Sequence, residues 1–136
     1  MAGSSTPRVV AVDESHTQIA LYERSVSSLL VELGTFHSPY DSLEYLRNNQ
    51  VNLVLMDLAM TGRDGLGWLR EMRSLSGHEN TPVVVVTSKD YAQDRILAKE
   101  LGALDYLVKP LKSKEIRELI CRHGNIQPLD DNSVTK

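Results

Sequence analysis

Five polar residues, Asp13, Glu14, Asp57, Thr87 and Lys109, each stand directly after an apolar run of strand length or beside such a residue. In a parallel α/β sheet the carboxyl ends of the strands open into one crevice, so the five would share a single pocket. Carboxylates about 4 Å apart repel by about 4 kcal/mol at an effective dielectric of about 20, so such a cluster holds either protons or a cation. At neutral pH a cation is the expectation. All the candidate ligands are oxygens, with no His or Cys converging from strand ends, which selects Mg2+ or Mn2+ over zinc. A carboxylate can also attack a phosphoryl group to give an acyl phosphate, and the charge on the moving oxygens then needs a cation and fixed donors. Lys109 would supply charge and Thr87 a hydroxyl.

The elements that must position these residues alternate five times between valine- and leucine-rich runs and helical periodicity. Runs that are apolar on both faces belong to strands covered by helices on both sides, so the class is α/β. The first unit is Arg8 to Val12. A helix from about Ser15 to Leu33 follows, its stripe Ile19, Tyr22, Val26, Leu29, Leu30 and Leu33 closing at Gly34 as a C′ residue. Thr35 to His37 reads as a short second strand, and Ser38-Pro39-Tyr40-Asp41 as N-cap, Pro at N1 and acid at N3 of a helix to about Asn49.

Val51 to Met56 is the third strand. After the loop 57–64 comes a helix with Leu66, Leu69 and Met72 on one face, weakened at its start by Gly65 and Gly67. Pro82 opens the run Val83 to Val86, and Asp90 with Gln93 has the spacing of a capping box for a helix ending near Gly102. Leu104 to Val108 is the fifth strand, and Ser113 is expected to cap a last helix with Ile116, Leu119 and Ile120 inward. Five strands with right-handed crossovers point to the flavodoxin-like doubly wound (βα)5 sheet, order 2-1-3-4-5, in three layers. Residues 1–7 are expected to be flexible, and 124–136 a disordered polar tail.

The chain has 136 residues, 41% apolar and 24% charged, which suits one compact domain over residues 8–123. A net charge of -3 offers no basic field for nucleic acid. The apolar stretch Val51 to Met60 is too short and interrupted to cross a bilayer, so neither nucleic acid nor membrane is expected as a direct partner. Cys121 is the single cysteine, and the start MAGSSTPR lacks the apolar segment of a secretory signal, so the expected location is cytoplasmic. Cys121 and His123 lie close together but lack further ligands for a metal site. His16, beside the acidic pair, reads as an exposed first-turn residue.

The segments VVAVDES, LVLMDLAMTGRDGLGWLREMR, VVVVTS and GALDYLVKPL, in this order and spacing, resemble the successive signatures of the response-regulator receiver domain, over roughly Arg8 to His123. That resemblance implies a phosphorylation-activated switch of a two-component phosphorelay, not an enzyme. Asp57 would be the phosphoacceptor, Asp13 and Glu14 the acidic pair serving Mg2+, and the Ala59 carbonyl a further metal ligand. Thr87 and Lys109 would bind phosphoryl oxygens, and Tyr106 would be the aromatic switch that follows Thr87. The implied partners are a histidine kinase or phosphotransfer protein and a downstream effector protein. The effector would meet the face of the fourth helix, fifth strand and fifth helix, around Tyr91, Lys99 and Tyr106. The Lys109-Pro110 bond is expected to be cis, X-Pro being the one common site of cis peptides.

The chain departs from the usual family pattern at Glu14, where Asp is frequent, and at Thr61, where Pro is favoured and its loss should loosen the loop. Ala59 and Lys89, two residues beyond Asp57 and Thr87, would flank the path of attacking water. Asp57-Leu58-Ala59-Met60-Thr61 also resembles the DxDxT motif of haloacid-dehalogenase-type phosphatases, but Ala59 replaces the second Asp that serves there as acid and base. A flavin-binding protein of the same fold is disfavoured because Asp13 and Glu14 would repel a flavin phosphate. A receiver-like module that binds partners without phosphorylation stays open at this level.

Overall fold

The computed structural model describes residues 6–127. Its strands are β1 (Arg8–Val12), β2 (Glu32–Phe36), β3 (Leu53–Met56), β4 (Ala59–Met60), β5 (Arg63–Asp64), β6 (Val83–Thr87) and β7 (Asp105–Val108). The helices are α1 (His16–Val26), α2 (Pro39–Asn48), α3 (Gly65–Arg73), α4 (Ala92–Glu100) and α5 (Ser113–His123). Five strands form one parallel sheet in the order β2-β1-β3-β6-β7, the expected order once the small β4-β5 hairpin is set aside.

Alternation along the strands sends side chains to two cores. Val10, Val12, Val54, Met56, Val83 and Val85 pack under α2, α3 and α4 through Leu43, Leu46, Leu69, Met72 and Ala98. Val9, Ala11, Leu53, Leu55, Val84 and Val86 meet α1 and α5 through Ile19, Tyr22, Ile116 and Ile120 on the other face. The result is three layers, with no helix among the described residues long and apolar enough to cross a membrane. Ser38 caps α2 as its sequence suggests, its hydroxyl accepting from the amides of Tyr40 and Asp41.

Four local expectations are corrected. Helix α1 stops at Val26: the Ser27 amide and hydroxyl both turn back to the Arg24 carbonyl, and Leu30 is 64% exposed. Leu33 and Gly34 therefore belong to β2, where the parallel register pairs Arg8 with Glu32 and Val10 with Gly34. Helix α4 begins after Tyr91 without a side-chain cap, because the Asp90 carboxylate pairs with Arg95 at 3.0 Å. Lys112 is the N-cap of α5 and its amide donates to Glu115, while Ser113 is the first helical residue and its hydroxyl lies 2.8 Å from that of Ser25. The expected tail from 124 is ordered at its beginning, since Ile126 is buried and its amide donates to the Cys121 carbonyl. Residues 128–136 and 1–5 lie outside the described residues.

Candidate functional site: two aspartates on one ammonium

The switch point between β1 and β3 brings Asp13 and Asp57 side by side, and the Asp57 amide donates to the Val12 carbonyl. Each acid is held in the same way. Oδ1 of Asp13 accepts from the Ser15 amide at 2.9 Å, and Oδ1 of Asp57 accepts from the Ala59 amide at 2.9 Å. These Asx turns fix both carboxylates and leave each Oδ2 facing the cleft. Both Oδ2 atoms lie 2.8 Å from the Lys109 ammonium. Lys109 is aimed there from the end of β7, where its amide donates to the Thr87 carbonyl and its bond to Pro110 is cis, as expected.

Two buried carboxylates against one ammonium leave a negative charge uncompensated. The Asp57 contact has hydrogen-bond geometry, whereas Oδ2 of Asp13 is buried without a directed donor. Burial raises the Asp13 pKa above its ordinary value, and the contacts with Lys109 and the Ser15 amide oppose that without cancelling it. For Lys109 burial works downward, but the pull of both aspartates outweighs it and the pKa is raised, so the ammonium stays charged. An acceptor whose one cationic partner is shared with a second carboxylate, excess negative charge and an all-oxygen donor set fit a hard divalent cation.

Glu14 does not join this pair. Its Oε2 accepts from the Thr61 amide and its Oε1 from the Thr61 hydroxyl, both at 2.8 Å. Among the described residues no three His, Cys, Asp or Glu side chains converge as a metal cage. Where proline would have no donor, Thr61 supplies two, and both go to Glu14. The segment folds as the β4-β5 hairpin, with Thr61 and Gly62 at its tip, Gly62 at φ +73° and the exposed Ala59 beside the cleft. Behind it, Gly65 is obligatory: a Cβ there would sit 2.4 Å from Cα of Leu58, the residue after Asp57.

On the far side of the cleft Thr87 is fully buried, and its hydroxyl oxygen accepts from the Lys89 amide at 3.2 Å. The Lys89 carbonyl in turn accepts from the Tyr106 hydroxyl, so the backbone of one residue joins Thr87 to Tyr106. Tyr106 is half-buried, with the Arg95 guanidinium 4.6 Å from its ring centroid. Burial first, then the nearby Asp94, raises its phenol pKa. Sequence reasoning missed Arg95 as the cover of Tyr106 and Thr61 as the partner of Glu14. No local spacing marks either, since the partners are 11 and 47 residues apart. His16 is exposed as expected and stacks on His37 with ring centroids 4.0 Å apart. His123 faces Asp105 at 3.4 Å instead of forming a site with Cys121.

Comparison with known proteins agrees with this arrangement. A curated relative, the cyclic di-GMP phosphodiesterase response regulator RpfG of Xanthomonas campestris pv. campestris (strain 8004), is 32% identical over 111 residues. That match takes in 80% of this chain but 29% of the relative, so the chain corresponds to less than a third of that protein. Among solved structures, a CheY-like response regulator receiver domain protein from Methanospirillum hungatei JF-1 superimposes with a TM-score of 0.82 at 19% identity, covering 89% of this chain and 95% of the other. The receiver domain of sensor histidine kinase PA1611 from Pseudomonas aeruginosa PAO1, solved with a magnesium ion coordinated in its active-site cleft, gives a TM-score of 0.78 at 21% identity, over 89% of this chain and 99% of that one. The response regulator receiver domain pattern itself matches residues 9–121, and the chain therefore belongs to the response regulator receiver family of two-component signalling.

Proposed function

We propose that Asp57 accepts a phosphoryl group from a phosphohistidine donor with Mg2+ bound beside it, and that the modified chain changes shape for a downstream protein. The observation that carries this reading is the bridging ammonium of Lys109, 2.8 Å from both buried aspartates. An Asp57 carboxylate oxygen forms the new bond to phosphorus while the donor's N–P bond breaks and its electron pair returns to the imidazole. Asp13, Asp57 and the Ala59 carbonyl would hold the cation, which neutralises charge on the phosphoryl oxygens. Lys109, released from Asp57 as that oxygen is phosphorylated, keeps its charge against the phosphoryl group. The Thr87 hydroxyl donates to a phosphoryl oxygen.

Drawing Thr87 inward breaks its bond to the Lys89 amide, and the Lys89 carbonyl is the one that holds Tyr106. The phosphoryl charge thus reaches Tyr106 through the backbone of a single residue, Lys89. A cavity of about 280 Å³ lined by Arg95, Lys99, Leu104 and Tyr106 adjoins that ring, with Tyr91 and Ile96 exposed on the same helix and its lead-in. This face, with α5 beside it, is the surface we assign to the effector protein. Ala59 supplies no acid or base for fast hydrolysis, which favours a persistent modified state over a phosphohydrolase turning over substrate. Ala59 leaves room for water at the acyl phosphate and Lys89 restricts it.

Incubation with Mg2+ and acetyl phosphate followed by intact-mass measurement tests the reading. One labile phosphate is expected on the wild-type chain and none on Asp57→Asn; an unmodified wild type would favour a module that binds its partners without phosphorylation.

A further inference from the structure

We propose that Thr61 and Glu14 form a latch that a divalent cation must open, so that Thr61 sets how tightly the chain holds the ion. The proposal rests on the phosphoacceptor reading and adds to it a positioning residue for the metal. Both carboxylate oxygens of Glu14 are committed to one residue, with the amide and the hydroxyl of Thr61 each at 2.8 Å. Glu14 follows Asp13, whose Oδ2 is buried without a directed donor, so the acid that could complete an ion's shell is turned to the hairpin tip instead.

Swinging Glu14 toward Asp13 costs two hydrogen bonds to a charged acceptor, and those bonds are among the stronger ones a neutral donor makes. It also unties the tip of the β4-β5 hairpin, whose strands pair at Ala59–Asp64 and Met60–Arg63 and whose Met60 is buried in the core. Ala59 lies on that hairpin, and its amide fixes Asp57. Cation binding and the hairpin are therefore linked in both directions: the ion loosens the tip, and whatever loosens the tip favours the ion. Thr61 is exposed, so a partner or a substitution can reach the latch without entering the cleft.

Mn2+ affinity, read from the free-ion electron paramagnetic resonance signal with Mg2+ as competitor, tests this on the whole chain. Thr61→Val keeps the shape and the amide but loses the hydroxyl, and is expected to bind Mn2+ about fivefold more tightly. Thr61→Ser, which keeps both donors, is expected to match the wild type. Saturating Mg2+ should also speed hydrogen exchange at the Thr61 amide. Equal or weaker binding by Thr61→Val, or a Thr61 amide as protected with Mg2+ as without, would overturn the latch while leaving the phosphoacceptor reading standing. Wild-type protein that binds no Mn2+, or Asp13→Asn that binds it as well as wild type, would overturn both.

Discussion

Two clusters of buried polar groups, one around His78 and one around Lys109, are built in opposite ways. At His78 every polar atom is answered. Nε2 faces the carbonyls of Leu46 and Asn49 at 2.7 and 2.9 Å and so carries the ring proton, leaving Nδ1 to accept from the Thr81 hydroxyl at 2.8 Å. Arg73 closes the same corner by donating to the carbonyls of His78, Thr81, Leu101 and Gly102. That network ties the ends of α2, α3 and α4 together and asks for nothing further. At Lys109 one ammonium serves two carboxylates, Oδ2 of Asp13 has no directed donor, and the acid next in sequence is engaged elsewhere. A satisfied network fixes a fold, whereas the incompletely satisfied one at the open end of the sheet is where the proposed cation would bind.

The contrast breaks if both clusters respond alike to mutation. Removing the bridging charge in Lys109→Met should slow phosphorylation of Asp57 about a hundredfold or more, the cost typical of losing a fixed group that stabilises moving charge. Single-turnover mass measurements with acetyl phosphate read this directly. The fold should survive, since the site contributes little packing. His78→Ala should do the reverse: a loss of about 3 kcal/mol of stability in urea unfolding, because a buried donor network is orphaned, with Mg2+ affinity and phosphorylation unchanged. Equal effects of both variants on both readouts would erase the distinction.

The smallest expected effect lies at Tyr106. Its folded pKa is raised above 10.0, with burial the main cause, so the folded state keeps the proton after the unfolded chain has lost it. Stability conferred by the phenol is therefore complete below pH 10 and declines above it as the unfolded state ionises. The stability difference between wild type and Tyr106→Phe should shrink from pH 9 to pH 11, by an amount visible only in paired unfolding curves. A constant difference would mean that burial does not hold the phenol in its neutral form.

Much of the site was legible because strand ends are local facts: an apolar run stops at a polar residue, and a parallel sheet gathers the stops. Asp13, Asp57, Thr87 and Lys109 were placed on that ground, and the fold brings them around one cleft. The end of α1 was misread because Leu29, Leu30 and Leu33 continue the helical spacing, while the break comes from Ser27 bonding back to Arg24 and from the register that β2 needs against β1. Glu14 was placed by adjacency to Asp13, yet its direction is decided by Thr61, a residue 47 positions away. The same distance in sequence hides the hairpin tip from any local pattern. Capping fared unevenly for a related reason: Ser38 has no competitor for its amides, whereas Asp90 is taken by Arg95.

The most direct test of the central claim is to locate the phosphoryl group. After incubation with Mg2+ and acetyl phosphate, borohydride reduces an aspartyl phosphate to homoserine, and peptide sequencing by mass spectrometry then finds the altered residue. Homoserine at position 57, dependent on Mg2+ and absent from Asp13→Asn, is the expected result. Homoserine at another aspartate, or its absence from a folded wild-type chain, would contradict the account.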